Sequence, residues 1–169
     1  ILALLTGICS WYRPGGRLGM SGDAGGHVPK PSDQQVCNGT PGHAEMVHIA
    51  FDPAELAYAD LLRVFFTIHD PTTVDRQGND VGSQYRSIIL TADAEQQRSA
   101  ETSRDASQAK LSGAGFGAIS TEIASAGPFY YAEDYHQQYL DKEPNGYCPN
   151  HSTGVTFPDV VVTPLQYVE

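Results

Sequence analysis

The sequence predicts an α+β fold, and three features of its apolar pattern carry that expectation. From Glu45 to Phe51 the odd positions Glu45, Val47, Ile49 and Phe51 fall in line, the two-residue period of a strand with one buried face. Immediately afterwards the period lengthens: Leu56, Ala59, Leu62 and Phe66 recur at helical spacing. Strand-like and helix-like stretches then keep alternating as far as Leu140, separated by Gly- and Pro-bearing loops.

In chain order, Ile1 to Leu5 reads as a buried strand, too short for a signal-peptide core and without a basic flank. Residues 11–42 are dense in Gly and Pro, carry little apolar periodicity and are expected to be mostly loop. After the strand at 45–51, Asp52-Pro53-Ala54-Glu55 has the form of a helix start, with Asp as N-cap and Pro in the first turn, and the helix should reach about Thr67. Ser87 to Leu90 is expected as a strand. Asp93 should open a second helix, polar on most sides, running to about Leu111 before Gly113 and Gly115. Ile119 to Ala124 reads as a strand, Ala132 to Leu140 as a short helix, and Val160 to Val162 as a weak strand in a loop-like C-terminal tail. Each helix must bury one stripe, and a sheet is the surface available to bury it. The expected architecture is therefore a two-layer α/β sandwich with a mixed sheet and a ferredoxin-like core. One domain should cover residues 1–169, with 144–169 a loop-rich tail.

Bulk properties narrow the function. A hydrophobic fraction of 40% and 9% aromatics suit a globular chain able to build a core. The formal net charge of −10 argues against nucleic acid, whose phosphates require Lys and Arg, and against anionic lipid. No segment approaches the roughly 20 apolar residues of a membrane-spanning helix. Three cysteines cannot form a fully paired framework, so reactive thiols in a reducing cytoplasm are expected. The six His show no metal-ligand spacing.

Three blocks place polar residues and glycine where neither a core nor a plain surface asks for them. In Gly42-His43-Ala44-Glu45-Met46-Val47, Glu45 lies in register with the apolar set. A carboxyl on a buried face is disfavoured as an anion and can donate a proton to a substrate oxygen; as the first residue of a strand it can equally reach water. The second block runs from His69-Asp70-Pro71 through Asn79-Asp80-Val81-Gly82-Ser83-Gln84-Tyr85-Arg86. It is a long polar loop of the kind that often carries function, and His69 in it reads as a structural cap. The third joins the Tyr-rich run Phe129 to Leu140 to Asn145-Gly146-Tyr147-Cys148, and an exposed tail thiol suits a resolving role.

Together these blocks resemble, in order and separation, the signature stretches of the class A peptide methionine-sulfoxide reductases. In that family a nucleophilic Cys begins a Cys-Phe-Trp motif, and the matching run here is Gly7-Ile8-Cys9-Ser10-Trp11. The resemblance implies Cys9 as nucleophile, Trp11 as a wall of the methyl pocket and Glu45 as the acid on the sulfoxide oxygen. It also implies Tyr85 as a second donor, Asp80 as a residue holding substrate and pocket, and Cys148 as the one resolving thiol. Cys37 matches a cysteine the family does not require and reads as a small buried residue. The implied reaction leaves Cys9 as a sulfenic acid, which condenses with Cys148 to a disulfide that thioredoxin or a similar dithiol reduces. It needs no metal or bound cofactor, acts on methionine-sulfoxide-containing proteins and peptides, and suits a monomer.

The chain departs from the family between residues 8 and 33. Ile8 separates Gly7 from Cys9, Ser10 stands for the Phe of the methyl pocket, and Pro14-Gly15-Gly16 interrupts what is otherwise a helix. Asp33 and Asp23 each replace a Tyr. A thiol without a helix N-terminus loses that source of activation, though Arg13 offers a nearby positive charge. Two further readings follow: a catalytically impaired relative that binds methionine peptides, and a general thiol–disulfide exchanger, for which no Cys-x-x-Cys is present.

Overall fold

A computed structural model describes residues 18–31, 35–36, 42–143, 145–147 and 152–156. The expected strands at 1–5 and 160–162 lie outside the described residues. The elements are β1 (Leu18–Ala24), β2 (Ala44–Ala50), α1 (Tyr58–Ile68), β3 (Arg76–Gln77), β4 (Asp80–Val81), a 3-10 turn (Ser83–Tyr85), β5 (Ile88–Thr91), α2 (Ala94–Gly113), β6 (Glu122–Ser125), β7 (Phe129–Tyr131) and α3 (Tyr139–Lys142). The fold is α+β, with antiparallel and parallel pairing together: β1 lies between β2 and β7, antiparallel to both, while β5 and β6 run parallel.

Parallel neighbours require a crossover, and α2 supplies it between β5 and β6. Its start is well specified: Asp93 Oδ1 accepts from Glu95 N at 2.9 Å and Gln96 N at 2.8 Å, as its expected N-cap role requires. Successive side chains of β5 then face opposite ways. Ile89 joins Leu61, Leu62, Phe65 and Phe66 of α1 and Ala100 of α2 in one apolar cluster. Ile88 and Leu90 join Ala24, Ala44 and Met46 in a second. The helices thus cover one side of the parallel pair, and the antiparallel strands meet the other.

Five expectations change. The loop expected over 11–42 contains β1, paired with a strand on each side, so hydrogen bonding replaces the missing apolar signal. Gly22 is needed there, because a Cβ would lie 2.2 Å from the Tyr130 carbonyl oxygen and 2.5 Å from the Phe129 ring. β2 is covered on both faces: Ala44 and Met46 are buried in one cluster, while Ile49 and Phe51 of the expected odd-position set pack, partly buried, against the other.

Asp52 caps an isolated turn, with Ala54 N donating to its Oδ1 at 2.8 Å and Leu56 N to its carbonyl at 2.9 Å. The chain then extends at Ala57 and the helix begins at Tyr58. This break lets Leu56 and Tyr58, two residues apart, both reach the helical cluster, which a continuous helix would prevent. Residues 134–138 are turns and 132–133 have no regular structure, so no helix forms before Tyr139. Ala132 N is drawn to Ser21 O at 3.0 Å, and Gln138 takes a left-handed φ of 49° before the short α3. The strand expected at 119–124 is shifted, to Glu122–Ser125.

Candidate active site

The site is assembled from the end of β1, the start of β2 and the loop from β3 to the 3-10 turn. β1 and β2 pair so that Asp23 faces Glu45 and Ala24 faces Ala44. Gly25 follows β1 with a φ of 82°, the left-handed conformation that glycine adopts without strain. The chain then turns back over His43. Gly26 N donates to His43 Nδ1 at 3.2 Å, and His43 Nε2 donates to Val28 O at 2.8 Å. One nitrogen accepting and the other donating fits the neutral ring with its proton on Nε2. His43 is 1% exposed and meets the ring of Tyr130 edge-on at 5.6 Å. It therefore pins the 25–28 turn two residues before Glu45, a role its sequence block left unassigned.

Glu45 is half-buried on β2, with its side chain on the same face of the strand pair as Asp23. The position is neither of the two extremes the sequence allowed, full burial or free access to water. It leaves a carboxyl held by the sheet and still reachable by a ligand.

Asp80 and Tyr85 arrive on a compact loop. β3 and β4 form a hairpin closed by Gly78 and Asn79, with Gln77 opposite Asp80. Gly82 N donates to Asp75 O at 2.8 Å, and Gly82 holds a φ of 153° that side chains rarely adopt, beside the amide of the buried Gln84. Tyr85 closes the 3-10 turn that packs against β2. The clamp between these pieces is Arg86. Its Nη1 donates to Ser83 O at 2.9 Å, its Nη2 to Gly42 O at 3.2 Å and its Nε to Glu122 Oε2 at 3.2 Å. One guanidinium therefore ties the turn bearing Tyr85, the residue leading into β2, and β6. Sequence reasoning gave Arg86 no role. The available signal was an arginine at the end of a polar loop in an acidic chain.

The tail reaches the same loop. Tyr147 Oη donates to Asp80 Oδ1 at 3.5 Å, and partial desolvation together with the Asp80 carboxylate holds the Tyr147 phenol above its usual range. Five residues on, Ser152 Oγ donates to Thr67 O at 2.6 Å near the end of α1. Cys9, Trp11, Asp33, Cys37 and Cys148 lie outside the described residues. So the structure brings Glu45 and the Asp80–Tyr85 loop to neighbouring elements and carries the residue before Cys148 to Asp80.

His69, by contrast, is structural. Its Nδ1 bonds Phe65 O at 2.6 Å and its Nε2 bonds Ser87 Oγ at 2.8 Å, and Ser87 continues to Thr121 Oγ1 at 2.7 Å. That buried chain ties the end of α1 to β5 and to the approach to β6. Among the described residues no group of three His, Cys, Asp or Glu is arranged to hold a metal, and no helix is long and apolar enough to cross a membrane.

Comparison with known proteins agrees with this geometry. The family described as peptide methionine sulfoxide reductase matches residues 15–157, a span that includes Glu45, Asp80, Tyr85 and Cys148 and begins after Cys9 and Trp11. The chain is 55% identical over 148 residues to peptide methionine sulfoxide reductase MsrA of Azotobacter vinelandii, covering 88% of this chain and 68% of that protein. The counterpart of the same name from Rhodospirillum centenum is 53% identical over the same shares. Among solved structures, methionine sulfoxide reductase A of Corynebacterium diphtheriae superposes with a TM-score of 0.74 at 44% identity, covering 82% of this chain and 69% of that one. Mxr1 of Saccharomyces cerevisiae in its reduced form gives 0.73 at 36% identity, covering 79% and 75%. A half-buried strand glutamate, a clamped Asp/Tyr loop and relatives of this identity lead to one conclusion: the chain belongs to the peptide methionine sulfoxide reductase family, class A.

Proposed function

We propose that this chain reduces methionine-S-sulfoxide, free or within proteins, to methionine in the repair of oxidised polypeptides. The observation that carries the reading is convergence: Arg86 binds the Tyr85 turn to the residue leading into Glu45's strand, and Tyr147, next to Cys148, reaches Asp80. These segments are distant in sequence, and each bears a residue suited to one step.

In the first step the Cys9 thiolate attacks the sulfoxide sulfur while Glu45 gives its proton to the oxygen. The substrate's S–O bond breaks, methionine departs, and Cys9 retains the oxygen as a sulfenic acid. Tyr85 is the second donor to that oxygen, Asp80 holds substrate and pocket, and Trp11 walls the methyl group. In the second step Cys148 attacks the Cys9 sulfur, water leaves, and a disulfide forms. A thioredoxin-type dithiol then reduces it, with no bound cofactor or metal taking part. The unit is a single domain over 1–169 whose tail, 144–169, carries the resolving thiol. It acts as a monomer in a reducing cytoplasm, and its acidic surface keeps it from nucleic acid and anionic membranes.

The test is a single-turnover assay. Reduced protein incubated with a methionine-S-sulfoxide peptide and no added reductant should release about one to two equivalents of methionine. Glu45→Gln should slow that release by about 10²–10⁴-fold, the usual contribution of a positioned acid. Peptide binding without release would restore the binding-module reading, and unchanged activity in Cys9→Ser would remove Cys9 as nucleophile.

A further inference from the structure

Arg86 meets more of the site than a tie between two segments requires. The Ser83 carbonyl accepts both from its Nη1 at 2.9 Å and from its backbone N–H at 3.3 Å, which closes the 3-10 turn that presents Tyr85. Its Nη2 donates to Gly42 O at 3.2 Å, three residues before Glu45, and a Cβ on Gly25 would stand 3.3 Å from the same nitrogen. The end of β1, the entry to β2 and the Tyr85 turn therefore converge on one guanidinium. The remaining donor, Nε, reaches Glu122 Oε2 at 3.2 Å, and Glu122 is fixed at the start of β6 by its own N–H on Ser87 O at 2.9 Å.

Arg86 is 19% exposed and Glu122 51% exposed, and an ion pair so open to water adds little to stability. What it supplies is orientation. The guanidinium is planar, so holding Nε sets where both Nη groups point. A lysine ammonium has one nitrogen and no fork with which to hold three separate acceptors.

We propose that Arg86, its plane set by Glu122, is a positioning residue for the reduction: it holds Glu45 and Tyr85 at the separation at which both reach one sulfoxide oxygen. The inference rests on those two residues being the donors to that oxygen. Arg86 acts through the carbonyls of Gly42 and Ser83, so the proton and electron transfers of the thiol step are unchanged. A shift of about 1 Å in the spacing of the donors is enough to slow chemistry by about 10²-fold while substrate binding persists.

Arg86→Lys keeps the charge and loses the fork. Its first-turnover rate of methionine release at saturating peptide should fall about 10–10²-fold, and the peptide concentration for half the maximal rate should move less than about threefold. In Arg86→Ala, guanidinium ion added below denaturing concentrations should restore part of the rate. A double-substitution cycle then separates positioning from general support. In the native chain Glu45→Gln and Tyr85→Phe should be non-additive, because both act on one oxygen, and in the Arg86→Lys background that coupling should shrink about tenfold. An unmoved coupling overturns the proposal. Should the Arg86 variants misfold, Glu122→Leu removes only the Nε acceptor and should reduce the coupling in the same direction. A second measurement needs no turnover: in Arg86→Lys, hydrogen exchange at the Tyr85 amide should quicken about tenfold or more while α2 keeps its protection. Equal quickening in α2 would mean general loosening and would also overturn the proposal. A native chain that releases no methionine, with exchange quickened at Tyr85 alone in the variant, would sink the reductase reading by itself. An active chain with coupling and exchange unmoved would sink the Arg86 role by itself.

Discussion

The two apolar clusters of this molecule are built from different materials. On the helical side Leu61, Leu62, Phe65, Phe66 and Ile89 fill the space with large side chains. The other cluster is Ala24, Ala44 and Met46 beside Ile88 and Leu90, and the strands that carry it also bury Ser21, Asp23 and, just before β2, His43. The first side is held by volume removed from water. The second is held by close backbone approach and by hydrogen bonds to Arg86, His43 and Gln137, whose amide bridges the backbone N and O of Ser21 at 2.9 and 2.8 Å. Stability and position are thus supplied by opposite faces of the same fold, and substitutions should separate them.

The largest effect is expected from Phe66→Ala. It empties a fully buried ring from the helical cluster and should cost about 3–5 kcal/mol of unfolding free energy. Chemical denaturation should show that loss while, in the fraction still folded, first-turnover chemistry is little altered. Gly22→Ala should behave the other way. Its new methyl collides with the Tyr130 carbonyl and the Phe129 ring, so β7 must move away from β1. A stability loss of about 1–3 kcal/mol is expected, with a larger fractional loss of methionine release than Phe66→Ala causes. Equal effects on activity in the two variants would erase the division drawn here.

The smallest effect is one of pH. Tyr58 stacks on Phe51 with ring centroids 6.3 Å apart, and burial, reinforced by the charge of Asp93, pushes its phenol up to about 12. An unfolded chain ionises its tyrosines near pH 10, so above that value protons leave the unfolded state first. Tyr58's contribution is therefore complete below about pH 10 and declines as pH rises through the folded value. Partial exposure keeps it small. Denaturation midpoints at roughly pH 9 and pH 11 should differ less in Tyr58→Phe than in the native chain.

Legibility in the sequence followed the same division. α2 could be placed almost to the residue because its cap, Asp93, acts locally and its glycines stop it. β5 was visible as a short apolar run, and the position of Glu45 on a strand followed from period alone. β1 was not visible. Leu18-Gly19-Met20-Ser21-Gly22-Asp23-Ala24 has no β-branched residue, and its conformation is imposed by partners that lie more than twenty and more than a hundred residues further along the chain. The pairing of Asp23 with Glu45 and the reach of Arg86 to Gly42 were hidden for the same reason, since neither has any counterpart in local spacing. The helix start at Asp52 misled because a capping pattern reports a turn, and whether that turn continues depends on where Leu56 and Tyr58 can pack.

The position of β1 between two distant strands also has a consequence for the order in which the chain assembles. Closing a loop costs more as it lengthens, by (3/2)RT ln n, so joining β1 to β7 costs about 1.5 kcal/mol more than joining β1 to β2. The β5–α2–β6 unit closes over a longer loop than β1 to β2 but a much shorter one than β1 to β7, and can form before β7 is joined. A ribosome-bound chain would hold β1 and β2 well before β7 emerges. The strand opposite Glu45 therefore gains its second neighbour only after nearly all the rest of the domain has been made.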